Sequence, residues 1–350
     1  MALINVNLHD RNDKFYYVEG EATVATIVKK LATEFTETAT ALDPTYGWTM
    51  VEPTTAGAVV DKFIMSTTTS KGKTFYVKIE RPITTAPDRS LIGLVVSYGK
   101  EYDVTLKDIK TDKISPETHL SWYKDELQAN VKDWLPVAYW ISMTKDSINL
   151  VMRGDPSADV YPYTSYLTTY MYAGILNALD PNQADDSEYN FAVTTGSHTE
   201  PNYGDEYGPR TATGTSDVSM VGNKAGMPFQ PPYPAFYTAH PFMDKLNIEG
   251  SRWNHNKHQF SDITLIHPVD MERGKMLSVL IGDAASLYDN DKLVFKQNTI
   301  DQEMYKKFEI TAPYTFLNNS ANNKYCLAIR CYSDDVTIGV DDGTGTTVTP

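Results

Sequence analysis

Cysteine is nearly absent: the 350 residues hold two, Cys326 and Cys331. A small secreted scaffold held by disulfides would carry many more. The two lie in Lys324-Tyr-Cys-Leu-Ala-Ile-Arg-Cys-Tyr-Ser333, which reads as a strand, and their spacing puts them on opposite faces. That argues against a bridge between them. Basic charge is also short, with 31 Lys and Arg against 45 Asp and Glu, so the formal charge is 31 minus 45, or -14. A sequence-independent grip on nucleic-acid phosphates needs clustered cations, and so does an anionic membrane surface; neither is expected as the main role. Long apolar runs are missing too. The strongest, Leu91-Ile-Gly-Leu-Val-Val96, falls far short of the 18 or so residues of a membrane helix. The opening Met1 to Asp10 lacks a basic segment followed by an apolar stretch, so no export signal is expected. These shortages together describe a soluble protein made in a reducing compartment. No internal repeat is visible beyond a faint echo between Val151-Met-Arg-Gly-Asp155 and Val279-Leu-Ile-Gly-Asp283.

What is present favours a packed β structure. Hydrophobic residues make up 41% and charged residues 22%, ordinary globular proportions. The 39 Thr and 23 Tyr suit half-buried pleated surfaces, and the 20 Gly and 19 Pro punctuate turns. The length allows two domains or one large β-rich domain with insertions. Near the start, Val24, Ile27, Val28, Leu31 and Phe35 form one apolar stripe at helical spacing, with Lys29, Lys30 and Glu34 on the other side. This predicts an amphipathic helix from about Ala22 to about Thr38, lying on a sheet. Strands are expected at Val59 to Met65, Thr74 to Glu80 and Leu91 to Tyr98. Ser115-Pro116-Glu117 is a helix opening, which predicts a short helix through about Val131. Trp134 to Ser142 and Ser147 to Met152 read as a hairpin around Thr144-Lys145-Asp146. Tyr163 to Leu179 fits either a helix or a strand, because its aromatics have no clean period.

Residues 181 to 234 change character, with six Gly, seven Pro, seven acids and two basic residues, and no regular element of useful length fits them. A loop of that length is functional, disordered or ordered against a partner. Beyond it, strands are expected at Phe260 to His267, Lys275 to Ile281, Lys292 to Lys296, Lys306 to Thr311 and Tyr325 to Tyr332, followed by a polar arm ending at Pro350. The expected fold is therefore α+β and β-rich, mainly antiparallel, with an N-terminal amphipathic helix and a long irregular loop region. Its expected parts are 1–180 (N-terminal α+β), 181–240 (Gly, Pro and Tyr-rich loop) and 241–350 (C-terminal β-rich), the first and last being able to form one continuous domain.

Catalytic signatures are weak. Gly72-Lys73-Thr74 lacks the earlier glycine and the following helix of a phosphate loop, and reads as a hairpin turn. Gly343-Thr-Gly345 lacks the context of a dinucleotide site. In Trp253-Asn-His255-Asn-Lys-His258, two histidines three apart could share a metal from one helical face, but no third ligand is fixed by spacing and Lys257 intrudes. A polar loop is the better reading of that segment. Asp289-Asn-Asp291 lacks the later residues of a calcium loop. Arg153-Gly154-Asp155 is ordinary turn chemistry. No Gly-x-Ser-x-Gly elbow, activated cysteine or paired carboxylate stands out. No enzyme activity, cofactor or metal is expected. The aromatic residues Tyr203, Tyr207, Phe229, Tyr233, Phe236 and Tyr237, set among Gly, Pro and Asn, are the candidate interface instead.

The stretches Lys132-Asp-Trp-Leu-Pro-Val-Ala-Tyr-Trp-Ile-Ser142, Asn149-Leu-Val-Met-Arg-Gly-Asp-Pro156 and Phe75-Tyr-Val-Lys-Ile-Glu-Arg-Pro82 resemble virion structural proteins of large tailed bacteriophages. The blocks cover about a fifth of the chain by eye, and none is a catalytic signature. The resemblance implies a tail, baseplate or neck component, located in the virion and assembled in the host cytoplasm. Its expected partners are other virion structural proteins and copies of itself, with no membrane and no direct nucleic-acid contact. The alternative is an adsorption protein whose aromatic residues bind a cell-surface glycan.

Overall fold

The computed structural model describes residues 15–70, 72–81, 91–110, 118–125, 133–154, 164–166, 168–178, 191–195, 217–220, 237–238, 253–255, 258–266, 273–283, 292–296, 302–309 and 325–331. Its strands in chain order begin with β1 (Tyr16–Thr23), β2 (Thr49–Glu52), β3 (Lys62–Thr68), β4 (Thr74–Glu80), β5 (Leu91–Gly99), β6 (Tyr102–Asp103), β7 (Asp108–Ile109) and β8 (Thr118–Asp125). They continue with β9 (Pro136–Met143), β10 (Ser147–Gly154), β11 (Thr164–Tyr166), β12 (Thr168–Ile175), β13 (Asn177–Ala178), β14 (Phe191–Thr195) and β15 (Asp217–Met220). The last are β16 (Tyr237–Thr238), β17 (Trp253–His255), β18 (His258–Ile266), β19 (Arg273–Asp283), β20 (Lys292–Lys296), β21 (Gln302–Glu309) and β22 (Tyr325–Arg330). All the pairings between them are antiparallel.

Three large sheets form successive layers. The outer sheet has the order β11-β8-β5-β4-β3-β2, the middle sheet β1-β9-β10-β12-β14-β15, and the third β16-β18-β19-β22-β21-β20, with β13 added on β19 and β17 on β18. Strand alternation sorts the middle sheet's side chains. In β10, Ile148, Leu150 and Met152 join the core shared with the outer sheet, whereas Val151 joins the core shared with the third. In β9, Val137, Tyr139, Ile141 and Met143 face one way and Trp140 the other. The central strands of the middle sheet are therefore covered on both faces, and all eight residues of β12 are buried. By contrast, β4 in the outer sheet buries only alternate residues, Phe75, Val77 and Ile79. Within Tyr163 to Leu179, which fitted either a helix or a strand, the described residues form β11, β12 and β13 in three different sheets, and the doubly buried β12 has no polar side to alternate with.

Tertiary contacts override several local expectations. Residues 118–125, expected in a helix, form β8, because Leu120 is buried in the first core and pairs with Leu94 of β5. Residues 181–234, expected to lack regular elements, supply β14 and β15 to the middle sheet. What draws β14 in is Phe191, whose ring stacks on Phe75 at 4.3 Å and meets Tyr98 at 5.5 Å and Trp48 at 6.5 Å. Burying that aromatic group outweighs the turn-forming composition around it. The expected hairpins match: β3 with β4, and β9 with β10 around Thr144 to Asp146. The tip of the latter is tied to its surroundings by Trp48 Nε1 donating to the Thr144 carbonyl at 3.0 Å and Ser70 N donating to Asp146 Oδ1 at 2.6 Å.

Besides a 3₁₀ turn at Ala56–Ala58, helix among the described residues is confined to one short segment, an α turn at Ile27–Ala32, a π turn at Thr33–Thr38 and a final α turn at Ala39–Leu42. It starts later than the stripe predicts because Val24 N and Ala25 N donate to the Leu135 and Asp133 carbonyls at 2.9 and 3.0 Å, prolonging the path of β1 beside β9. Its end at Asp43 precedes Pro44, which cannot continue a helix. Val24, Ile27, Val28, Leu31 and Phe35 are all buried, and Lys29 and Lys30 are exposed. Glu34, expected on the solvent side, is buried. The wider π turn changes the angular step per residue and carries Glu34 inward.

Close packing of the middle sheet predicts a sensitive position. A Cβ on Gly174 would lie 2.6 Å from both the Asp146 carbonyl oxygen and the Ser147 Cα, backbone atoms that cannot swing away. Gly174→Ala is expected to lower stability by about 1–3 kcal/mol. The readout is an earlier denaturant midpoint at unchanged slope, and an unmoved midpoint would contradict the tight β10–β12 packing.

Candidate functional site

Of the sequence-selected interface residues, Tyr203, Tyr207, Phe229, Tyr233 and Phe236 lie outside the described residues. Tyr237 lies in β16, where its backbone pairs with Ile266, and its side chain is outside the described part. His255 and His258 are not on a helical face; they sit opposite each other at the end of the β17–β18 hairpin. Cross-strand pairing of Trp253 with Phe260 imposes the strand geometry there. Gly72-Lys73-Thr74 is the turn between β3 and β4, with Gly72 at φ 76° and its N–H donating to the Thr69 carbonyl at 2.8 Å. Glycine takes that left-handed backbone without a Cβ clash. Cys331 is buried in the second core.

Three polar clusters lie between the layers of the described structure. The first is the Glu34 carboxylate, between the helical segment and the middle sheet. Tyr16 Oη donates to Glu34 Oε2 at 2.6 Å, Tyr139 Oη to Oε1 at 3.2 Å, and Lys30 Nζ lies 2.8 Å from Oε1. Tyr139 reaches across its cross-strand neighbour Gly20, where a Cβ would stand 2.3 Å from the phenol oxygen. Burial pushes the Glu34 carboxyl up, but the Lys30 ammonium and the two phenol donors outweigh it and hold its pKa below the ordinary 4.5. Burial pushes both phenols well above their ordinary value, and the neighbouring Glu34 charge adds to this. They remain protonated donors.

A second carboxylate, Glu19 of β1, bridges the middle and third sheets. Lys306 Nζ of β21 lies 2.8 Å from both oxygens, Tyr17 Oη donates at 2.7 Å and Trp140 Nε1 at 3.1 Å. Partial burial raises the Glu19 pKa, yet these donors bring it below the ordinary value. The Trp140 ring also packs against Phe308 at 4.9 Å and lies under the Arg153 guanidinium at 5.2 Å. Arg153 of the Arg-Gly-Asp run is thus part of this packing.

The third is Asn149, fully buried in β10. Opposite it, the register of β19 shifts between Asp262 and Thr264 of β18, and Ser278 takes a left-handed φ of 59°. The resulting bulge releases the Leu277 peptide from the ladder. Asn149 Nδ2 donates to the Leu277 carbonyl at 3.0 Å, Leu277 N donates to Tyr172 Oη at 3.3 Å, and Tyr170 Oη donates to Asn149 Oδ1 at 2.8 Å. Middle-sheet side chains therefore complete the hydrogen bonding of the third sheet's bulge.

Sequence reading missed Glu19, Glu34 and Asn149 because each lies at a position that looks polar and solvent-facing in one dimension. The one available signal was the i, i+4 pair Lys30 and Glu34. Among the described residues no group of three or more His, Cys, Asp or Glu is placed to hold a metal ion, and no helix is long and apolar enough to cross a membrane. Comparison with protein-family models and with curated proteins returned no match to this chain.

Two tests follow from these clusters. Because the folded Glu34 pKa is depressed, its contribution to stability is present above the ordinary value of 4.5 and is lost as pH falls through the lower folded value. Glu34→Gln is therefore expected to flatten the stability-against-pH curve below pH 4.5, read by denaturant titrations at successive pH values. A curve with the same slope as wild type would show that Glu34 does not carry this dependence. Asn149→Leu leaves the Leu277 carbonyl and the Tyr170 hydroxyl without their partner, and is expected to cost about 1–3 kcal/mol in thermal or chemical unfolding. A neutral effect would remove the clamp from the account.

Proposed function

We propose that this chain is a non-enzymatic structural subunit of a tailed-phage virion, a tail, baseplate or neck component assembled in the host cytoplasm. It works through contacts with other virion proteins and with copies of itself. The observation that carries this reading is the use to which the charge between the layers is put. Glu19 and Glu34 are each saturated by a lysine and by phenol or indole donors, and both are held in the ionised form. A general acid or base works best with a pKa near the ambient pH. These carboxylates are tuned away from it, and their geometry links layers instead.

The blocks that resemble virion proteins support the same reading. Phe75 to Pro82 supplies most of β4, and Lys132 to Ser142 with Asn149 to Pro156 supply most of β9 and β10. The likeness falls on strands that contribute buried side chains to the two cores. The glycan-binding alternative needs aromatic faces open to a sugar. The one described aromatic pair on the outer sheet's solvent side, Tyr76 with Tyr102, spends a face of each ring on mutual stacking at 5.9 Å, and the Tyr102 hydroxyl donates to Glu52 at 3.3 Å. Trp134, 55% exposed, is the described aromatic that the alternative would have to use.

The test is to fractionate particles and tail substructures from an infected lysate and to follow this chain by peptide mass spectrometry. A constant ratio to other virion proteins through successive gradients is expected. A chain that accumulates only as free protein while particles form normally would overturn the proposal. Retention on immobilised host-surface glycan by that free protein would then establish the alternative.

A further inference from the structure

Among the described residues, four large apolar side chains stand in solvent, and they fall into two pairs: Val104 (79% exposed) with Leu106 (63%), and Val60 (71%) with Trp134 (55%). Neither pair is on slack chain. The first occupies the tip of the β6–β7 hairpin, where Asp103 Oδ1 accepts the N–H groups of Thr105 and Leu106 at 2.8 and 3.0 Å and Lys107 takes a left-handed φ of 53°. Its stem is held to the outer sheet by the Tyr76–Tyr102 stack and by Asp108, 3.4 Å from both Lys62 and Lys78. The second pair flanks Arg81, which ties two loops together through Asp61 at 2.7 Å and Asp133 at 2.9 Å. Val60 precedes one of these aspartates and Trp134 follows the other. Apolar side chains held out on ordered backbone dock at low entropic cost, and tryptophan is among the residues that most often carry interface energy.

The most exposed charges beside the two pairs differ in sign. Next to the hairpin tip, the Lys107 side chain is 69% exposed, and its ion pair with Glu52 is long at 3.7 Å. Next to Trp134, the Asp133 side chain is 60% exposed even with Arg81 beside it. Each patch thus offers the counter-charge the other needs, on a chain whose net charge of -14 sets most of its surface against a second copy. We propose that the hairpin tip of one copy docks on the Val60–Trp134 patch of another, burying the four apolar side chains with Lys107 facing Asp133 across the contact. This deepens the assembly reading and rests on it only for its setting. If self-association fails while the chain still fractionates with particles, the virion role stands and this contact falls.

The experiment is sedimentation equilibrium on the purified full chain across a dilution series, with circular dichroism as the check on folding. Wild type is expected above the single-chain mass of 39.2 kDa. Leu106→Asp and Trp134→Asp are each expected at the single-chain mass with unchanged spectra, Val104→Asp serving as a second hairpin variant. Mixed in equal amounts, Leu106→Asp and Trp134→Asp are expected to recover a two-chain species, because each retains the patch the other lacks. Lys107→Glu, which faces Asp133 with a like charge, is expected to weaken association by about tenfold or more. The proposal is overturned by a wild type that stays at the single-chain mass throughout, by variants that keep the wild-type mass, or by a mixture that does not associate.

Discussion

Burial of the middle sheet's central strands on both faces is the constraint from which most of this structure follows. A strand with one wet face can tolerate any polar residue on that side; these cannot. Every side chain in β10 and β12 must either pack or find a hydrogen-bond partner inside the protein. The apolar positions divide by strand alternation, Ile148, Leu150 and Met152 towards the outer sheet and Val151 towards the third. One polar residue of these strands, Asn149, serves as a tie. Asn149 is tolerable in the interior because the bulge at Leu277 offers it an acceptor and Tyr170 offers it a donor.

The same logic organises the edges of the layers. Glu34 binds the helical segment to Tyr16 and Tyr139 of the middle sheet, while Phe35 beside it reaches Phe63 of the outer sheet at a ring separation of 6.5 Å. Glu19 and Lys306 join β1 to β21 across the second core. A charge withdrawn from water is costly unless it is paired and hydrogen-bonded. Both carboxylates meet that condition with several donors each. The layers are thus joined by apolar burial in bulk and by a few directional links at fixed points.

Much of the fold was legible in one dimension, and the misreadings share a cause. The strands of the outer sheet, β3 to β5, and the β9–β10 hairpin followed from short apolar runs separated by turn residues. The residues from 118 to 125 misled because Ser115-Pro116-Glu117 is a sound local helix signal that the pairing of Leu94 with Leu120 overrides. The strands β14 and β15 were hidden in a Gly and Pro-rich composition, and only the pocket formed by Phe75, Tyr98 and Trp48 gives Phe191 a reason to be buried. The aromatic interface chosen from sequence lies almost wholly outside the described residues. The exposed Val60, Val104, Leu106 and Trp134 carried no sequence signal, since an isolated apolar residue near a turn looks the same whether it faces in or out.

By itself, the sequence determined the β-rich antiparallel class, the shortage of cysteine and of basic charge, and which short runs could become strands. These depend on residue type and near-neighbour spacing, which physical chemistry reads locally. Tertiary structure decided which sheet each strand entered, that the middle sheet's central strands would be covered twice, and that Glu34 would turn inward on a π turn instead of facing water. Those outcomes depend on surfaces brought together from distant parts of the chain, as when Glu19 meets Lys306. The energy of such meetings exceeds the small local preferences that a linear reading can weigh.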